Sequence, residues 1–519
     1  MEKLYSIKIA LVLACAGTGM FTCSFPAAAE EPVLHPADMN ADWKVVLSEA
    51  IAYLSGWQQG SNPMNYAIRA AYIWQGGERY NYDAAEDPPL CWELQGPTPE
   101  ITAFTINNDA VYTSNPTVTL NNEATNDPTE YIASGSSAFN GASWLPYDPA
   151  PVFSLSGSAI TQRIYFKVRN GQGESSVKSD TIYLEPAMIP VSAGVFIMGG
   201  TGGGDDEQHG FPSEVPTHSV SLSSYLLGKY EVTTRQYCDV LNWAKAQGYL
   251  YRDNEGSPWA GEDDIYAGGA GYRYPIVDFS STQCYLQYIR GLFVPTTRTG
   301  LPDETEYSMA EHPMVEVSWY GAVAFCNWLS QMLGQAPCYY LGADEWPLTV
   351  APPSPGGYRL PTEAEWERAA AWDTSIPKHW IYGFMGDTNT GSDRCNDRND
   401  GSFIDNPLGL TAYPLTSPVG WFDGVNISPN GNIPTVNSPS PVGAYDMSGN
   451  VNEWCQDWYT PYTAAPQTNP LGDSTGTQRS VRSGTWQSNY WGCRTAYRMF
   501  AGPSGMAGYQ GFRLSRSSG

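Results

Sequence analysis

The chain reads as a multidomain protein: a small helical module, an all-β sandwich, and a large α+β domain with little regular secondary structure. Three observations predict this. The 519 residues exceed one ordinary domain and correspond to roughly three at about 150 residues each. Short apolar/polar alternations between residues 100 and 186 have the period of half-buried strands. From Ile189 onward, helical periodicity is sparse and glycines and aromatic turns are dense. The composition agrees, since 18 Trp, 34 Tyr, 52 Gly and 40 Pro with only 15% charged residues describe a loop-rich, aromatic-packed fold. The expected boundaries are 1–29 for a signal peptide, 30–95 for the helical module, 96–186 for the sandwich and 187–519 for the last domain.

The start, MEKLYSIKIALVLACAGTGMFTCSFPAAAEEPV, places Lys3 and Lys8 before an apolar stretch and Ala27, Ala28 and Ala29 ahead of Glu30. That is the pattern of a secretory signal cleaved after Ala29, so the expected location is secreted, periplasmic or cell-surface. Gly17, Thr18 and Gly19 interrupt the apolar run before about 20 residues, too short for a membrane anchor, and no other segment could span a membrane. Lys plus Arg number 27 against 53 Asp plus Glu, and a net charge of -26 repels phosphate backbones, which excludes nucleic acid as a partner. Cleavage leaves Cys91, Cys238, Cys284, Cys326, Cys338, Cys395, Cys455 and Cys493; an even set in an exported chain predicts disulfides, and no CxxC pair supports a zinc site.

In the helical module, HPADMNADWKVVLSEAIAYLSGW spans residues 35 to 57. Asp38, Asn40 and Asp42 alternate as the first ligands of a twelve-residue calcium loop, with the Lys44 carbonyl and Glu49 at the seventh and twelfth places. The segment resembles the dockerin half of an EF-hand, with Trp43 where the sharp-turn glycine usually stands; a solvated helix cap is the plainer reading. The exiting helix is expected near Ser48, with Ile51 and Leu54 facing inward. AIAYLSGWQQG from Ala50 returns as AIRAAYIWQGG from Ala67, which predicts two packed helices.

The runs ITAFTI, PTVTL, PVFSLS, RIYFKVRN and DTIYLE predict an antiparallel sandwich of immunoglobulin type, a spacer or binding module without a convergent ionisable set. Two helices are legible further on, Gly321 to Leu329 and Thr362 to Ala371, the second with Thr362 as cap and Glu365 three positions on. The most informative stretch is GAYDMSGNVNEWCQDW, Gly443 to Trp458. Asp446 and Glu453 offer carboxylates, and the turn at Gly449 and Asn450 would aim the Gly449 and Val451 carbonyls at one hard cation, calcium above all. An Asx-type turn with Trp454 in the core accounts for the same residues.

The last third resembles the formylglycine-generating enzyme, or sulfatase-modifying-factor, family, whose fold is similar to the C-type lectin fold. The blocks that carry it run in family order: FIMGG from Phe196, HSVSLSSYLLGKYEVTTRQYCDVLNW from His218, HPMVEVSWYGAVAFCNWLS from His312, GYRLPTEAEWERAA from Gly357, GAYDMSGNVNEW, RSVRSGTW from Arg479, CRTAYR from Cys493 and GFRLS from Gly511. The resemblance implies calcium bound by Asp446, Gly449, Val451 and Glu453. It also implies oxidation of a substrate cysteine to formylglycine with copper(I) held by two thiolates, at positions that fall on Ser488 and Cys493 of this chain. Only the second is a cysteine, and a hydroxyl is too hard a donor to replace a thiolate for copper(I).

Three classes of function follow. One is a protein-modifying oxidase acting on a protein or peptide substrate such as a sulfatase. The second is a noncatalytic, calcium-stabilised domain holding a peptide or glycan in an aromatic cleft that includes Trp486 and Trp491. The third is an iron oxygenase, for which His209 and His218 are the available ligands.

Overall fold

The computed structural model describes residues 32–253, 256–261, 263–268, 272–341, 346, 356–388, 393–398 and 406–518; the signal peptide expected at 1–29 lies outside them. The chain divides into two units. The first holds the described residues up to Glu100 together with Thr125–Thr129 and Arg169–Ser175, and the second holds the rest. In the first unit, helices α1 (Leu47–Gln58) and α2 (Met64–Gln75) pack on each other, and Tyr80–Tyr82 pairs antiparallel with Trp92–Leu94. The small side chains Ala50 and Ala70 lie in its core with Val45, Ile73, Tyr80 and Trp92. Ile51 faces outward and is 52% exposed, a correction to the helix phase expected above: α1 begins at Leu47, and Ala50 takes the buried face. The turns 125–129 and 169–175 join this unit through side-chain amides, Gln95 donating to the Gln172 carbonyl and Asn126 to that of Thr98.

In the second unit, two sheets enclose a core of Ile101, Ile106, Val118, Leu120, Ile164, Phe166, Val168 and Ile182. One sheet is built on Thr161–Asn170, flanked by Lys178–Leu184 and Glu130–Ser134; the other joins Glu100–Ile106, Thr117–Thr125 and Val152–Ser154. Each alternating run of the sequence lies in or overlaps one of these strands, while Glu130–Ser134 is a strand the pattern did not announce.

Beyond residue 187 three sheets organise the chain. Met188–Val191, Tyr225–Glu231 and Arg513–Ser517 pair side by side, so the first and last strands of this region share one sheet. Gly194–Met198, His218–Leu222 and Gln467–Thr468 form a second. The third runs Met499–Ala501, Arg479–Arg482, Asn452–Trp458, Gln510–Gly511. Helices cover them: α3 (Thr234–Ala246), α4 (Trp319–Met332) and α5 (Glu363–Ala371). α3 is opened by a capping box between Thr233 and Gln236, a T-x-x-Q signal that sequence patterning alone leaves easy to overlook. In α4 almost every side chain is buried, and Gly321 is required because a Cβ there would meet the Ile276 carbonyl oxygen at 2.2 Å. α5 has the expected Thr362–Glu365 box, and Arg359 grips Glu365 with two bonds of 2.6 and 2.7 Å.

Cys91, Cys238, Cys284, Cys326, Cys338, Cys455 and Cys493 lie buried as free thiols, so the expected disulfides are not found among them. Burial pushes each of these thiols up, Cys284 to about 12. Among the described residues no helix is long and apolar enough to cross a membrane.

Candidate functional site

The turn at Asp446–Asn450 is built from three left-handed residues, Asp446 at φ 58°, Gly449 at 85° and Asn450 at 61°. Gly449 is pressed against Asn396, whose carbonyl oxygen would sit 2.4 Å from any Cβ. Asn450 ties the loops together: its Nδ2 donates to Glu231 at 2.8 Å, and its Oδ1 accepts from the Ser417 amide at 2.9 Å. Trp454 and Trp319 close the core behind, donating to the carbonyls of Val317 and Cys455.

Glu453 is fully buried, and its two oxygens take Arg513 Nε and Nη2 at 2.6 Å each and Trp366 Nε1 at 2.7 Å. It is therefore the anion of a closed ion pair, where the sequence suggested an open cation ligand. Ser483 Oγ donates to the Gly449 carbonyl at 3.0 Å, and the Gly420 amide donates to Asp446. Glu231, which sequence reasoning missed, adds a third carboxylate. Burial raises its carboxyl strongly, neighbouring Asp446 and Glu453 raise it further, and its Oε1 has no partner. Burial likewise lifts Asp446 to about 6. Three carboxylates thus act on one guanidinium, Arg513, and a dication is the species that this surplus suits. Glu231 Oε1, which has no partner, and Asp446 are the side-chain oxygens that could serve such an ion. Among the described residues, no three His, Cys, Asp or Glu side chains form a metal cluster by themselves.

A second charge network surrounds the start of α5. Arg482 bridges Glu363 at 2.9 Å and Glu367 at 2.6 Å, while Arg498 grips Glu363 with two bonds of 2.7 Å. Burial alone would raise both carboxyls. Arg498 and Arg482 outweigh it at Glu363, Arg482 and His379 at Glu367, and both are held down to about 2. Arg494 similarly joins Asp206 and Glu214 at 2.6 and 2.7 Å.

Ser488 and Cys493 are brought together by Thr485. The Thr485 amide donates to Ser488 Oγ at 3.0 Å, and the Thr485 backbone also bonds the Cys493 thiol. Cys493 is wholly buried; burial, then Asp397, pushes its thiol well up, and Gly484 beside it leaves no room for a Cβ, which would lie 2.9 Å from Sγ. The donor set is one hydroxyl and one protonated thiol, which does not fit copper(I). Aromatic side chains stand close by in the chain. Phe211, Trp491 and Tyr497 form an edge-packed cluster, Tyr490 bonds His209 at 2.9 Å, and half-exposed Tyr413 stacks on buried Trp486 at 5.3 Å. His209 is thus taken by Tyr490, and His218 sits on Tyr462 with Nδ1 at the Pro216 carbonyl, so the two do not assemble the iron site considered above.

In the first unit, the proposed calcium loop folds onto its own amides. Asp38 accepts from Asp42, Trp43 and the Tyr80 hydroxyl; Asn40 accepts from Asp42, and Asp42 from Lys44. Glu49 accepts from Met39 and Val46. Trp43 adopts φ 60° at the place where an EF-hand glycine usually stands, so the sharp turn forms without the glycine.

Residues 174–518 match the family described as Sulfatase-modifying factor enzyme 1-like domain. The chain is similar to the formylglycine-generating enzyme of Thermomonospora curvata, 29% identical over 341 residues that cover 63% of this chain and 92% of that one. The Bos taurus formylglycine-generating enzyme is 26% identical over 380 residues, 69% of this chain and 82% of its own. PvdO from Pseudomonas aeruginosa superposes with a TM-score of 0.38 at 22% identity, over 64% of this chain and 95% of that one. A family match over well more than half of the chain makes this protein a member of the sulfatase-modifying-factor, or formylglycine-generating-enzyme, family.

Proposed function

We propose that the domain from residue 187 onward is a recognition domain of this family, holding a peptide or glycan on aromatic side chains near Ser488 and Cys493 without oxidising it. One observation carries the reading: where two thiolates are needed, the chain offers the Ser488 hydroxyl, fixed by the Thr485 amide, and a sealed thiol at Cys493. Calcium belongs to the proposal as a stabiliser. In a fold with short strands, a dication at Glu231 and Asp446 would neutralise the carboxylate surplus, and binding to the folded form alone raises its stability. Export, a dockerin-like first module closed around Asp38 and Glu49, and an immunoglobulin-like spacer complete the proposed organisation.

The oxidase reading keeps one support, the alignment with 92% of the Thermomonospora curvata formylglycine-generating enzyme. The test is direct. The mature protein is incubated with copper(I), oxygen and a cysteine-containing peptide bearing a CxPxR sulfatase motif, and the peptide mass is followed. An unchanged mass is expected; the loss in mass that accompanies conversion of the thiol to an aldehyde would overturn the proposal. Ser488→Cys is the companion variant, expected to gain copper(I) affinity.

A further inference from the structure

A cavity of about 400 Å³ opens beside the first turn of α5, and neither Ser488 nor Cys493 lines it. Its walls are Met198, Ala364, Trp458, Tyr462 and Leu471, and its polar floor is Asp457, His218, Glu363 and Arg498. That volume and mixture are those of a small-ligand site.

Two acceptors stand unused on this floor. Arg498 is largely committed: its Nε and Nη2 go to Glu363 and its Nη1 to the carbonyls of Ser213 and Thr460. Glu363 is saturated by Arg498, Arg482 and Ser480. Asp457 is only 6% exposed, and its Oδ2 accepts from the Glu363 amide at 2.8 Å, while Oδ1 has no partner among the described residues. His218 is 4% exposed; with Nδ1 at the Pro216 carbonyl, its Nε2 is a second acceptor without a partner among the described residues. Among the described residues Asp457 has no ion pair of its own. Glu363 and Glu365 face it from α5 and Asp473 lines the same cavity, against Arg498 and Arg479, whose charges are respectively spent on Glu363 and stacked over Trp458 at 3.4 Å.

We infer that this cavity binds an organic cation rich in N–H donors, an alkylguanidinium or alkylammonium group, with Asp457 as counter-ion, His218 Nε2 as second acceptor, and Trp458, Tyr462 and Leu471 around the aliphatic stem. The group can be a free amine or the side chain of an arginine or lysine on a peptide. The inference stands whether or not Ser488 and Cys493 take part in catalysis. Burial, then Glu363, lifts the Asp457 carboxyl to about 7, so Asp457 is charged above neutrality and neutral below it.

The experiment is calorimetric titration of the intact mature protein with n-butylguanidinium and with n-butylurea, its neutral isostere, at about pH 8 and about pH 5.5. Guanidinium binding is expected at the higher pH, at least about tenfold weaker at the lower, with no binding of the urea. Asp457→Asn keeps the acceptor for the Glu363 amide, so it should fold as the parent does and lose at least about tenfold in affinity. A blocked arginine tripeptide binding more tightly than butylguanidinium would identify a peptide side chain as the ligand; equal affinity would identify a free amine. Equal binding of the urea, or guanidinium affinity retained in a folded Asp457→Asn protein, overturns the inference.

Discussion

Replacing Arg482 by Met keeps the aliphatic stem and removes the charge that joins Glu363 to Glu367. Glu363 retains Arg498 and Ser480, but Glu367 is left with His379 and the Gly199 amide in a site that is 0% exposed. Two routes give the size of the loss. Breaking one partner out of a buried ion pair costs about 3–5 kcal/mol. Glu367 is held from 4.5 down to about 2, and at 1.36 kcal/mol per unit that is about 3 kcal/mol, of which Arg482 is the largest favourable contributor. A depressed carboxyl stabilises the fold fully above its unfolded value and loses that stabilisation as pH falls through the folded one. The deficit of Arg482→Met should therefore be about 3 kcal/mol at neutral pH and shrink below about pH 4.5. The assay is denaturant unfolding of the intact protein, followed by tryptophan fluorescence across pH, in the transition that reports this domain. Adding Glu367→Gln removes the orphaned charge and should restore part of the loss. A deficit under about 1 kcal/mol at neutral pH, or a double variant no more stable than the single one, would refute this accounting.

Calcium is expected to raise the melting temperature of the parent and to do so much less in Glu231→Gln; equal shifts in both would remove Glu231 from the site. Gly321→Ala should abolish soluble expression or cost more than about 3 kcal/mol, because its Cβ meets backbone at 2.2 Å; a well-folded variant with a parental melting curve would contradict the packing of α4. Asp239 accepts from the Thr161 amide of the sandwich, and burial lifts its carboxyl to about 6. The folded state then binds the extra proton between about pH 4 and 6, and stability falls as pH rises through that window. Asp239→Asn should be the more stable protein at about pH 8, by no more than about 1–2 kcal/mol because the residue is half-buried, with the gap closing below about pH 4 in calorimetric melts. A less stable variant at pH 8 would show that the charged form is favoured in the fold.

Much of the local structure was legible because its causes are local. The alternation in RIYFKVRN and DTIYLE fixes a face for every side chain of two paired strands, and Thr362 with Glu365 fixes the start of α5. The phase of α1 was misjudged because Ala50 and Ile51 are both apolar, and which of them faces inward depends on the neighbouring helix α2. The charged site was less legible. Asp446 and Glu453 stand in a segment whose chemistry was plain, yet carboxylates can hold a cation, a guanidinium or an amide equally well.

The sequence by itself determined the family, through eight ordered motif blocks, together with the hydroxyl at position 488 that departs from the two-thiolate pattern. It also determined the strands and helix caps, which arise from contacts a few residues apart. Only the tertiary structure decided that Glu453 belongs to Arg513, that Glu231 joins Asp446 from 215 residues away in the chain, and that Asp457, without a counter-ion among the described residues, lines an open cavity. Arg494 meets Asp206 across 288 residues. A pairing at that separation is chosen by which strands close the sheets, and no periodicity within either segment encodes the other's charge.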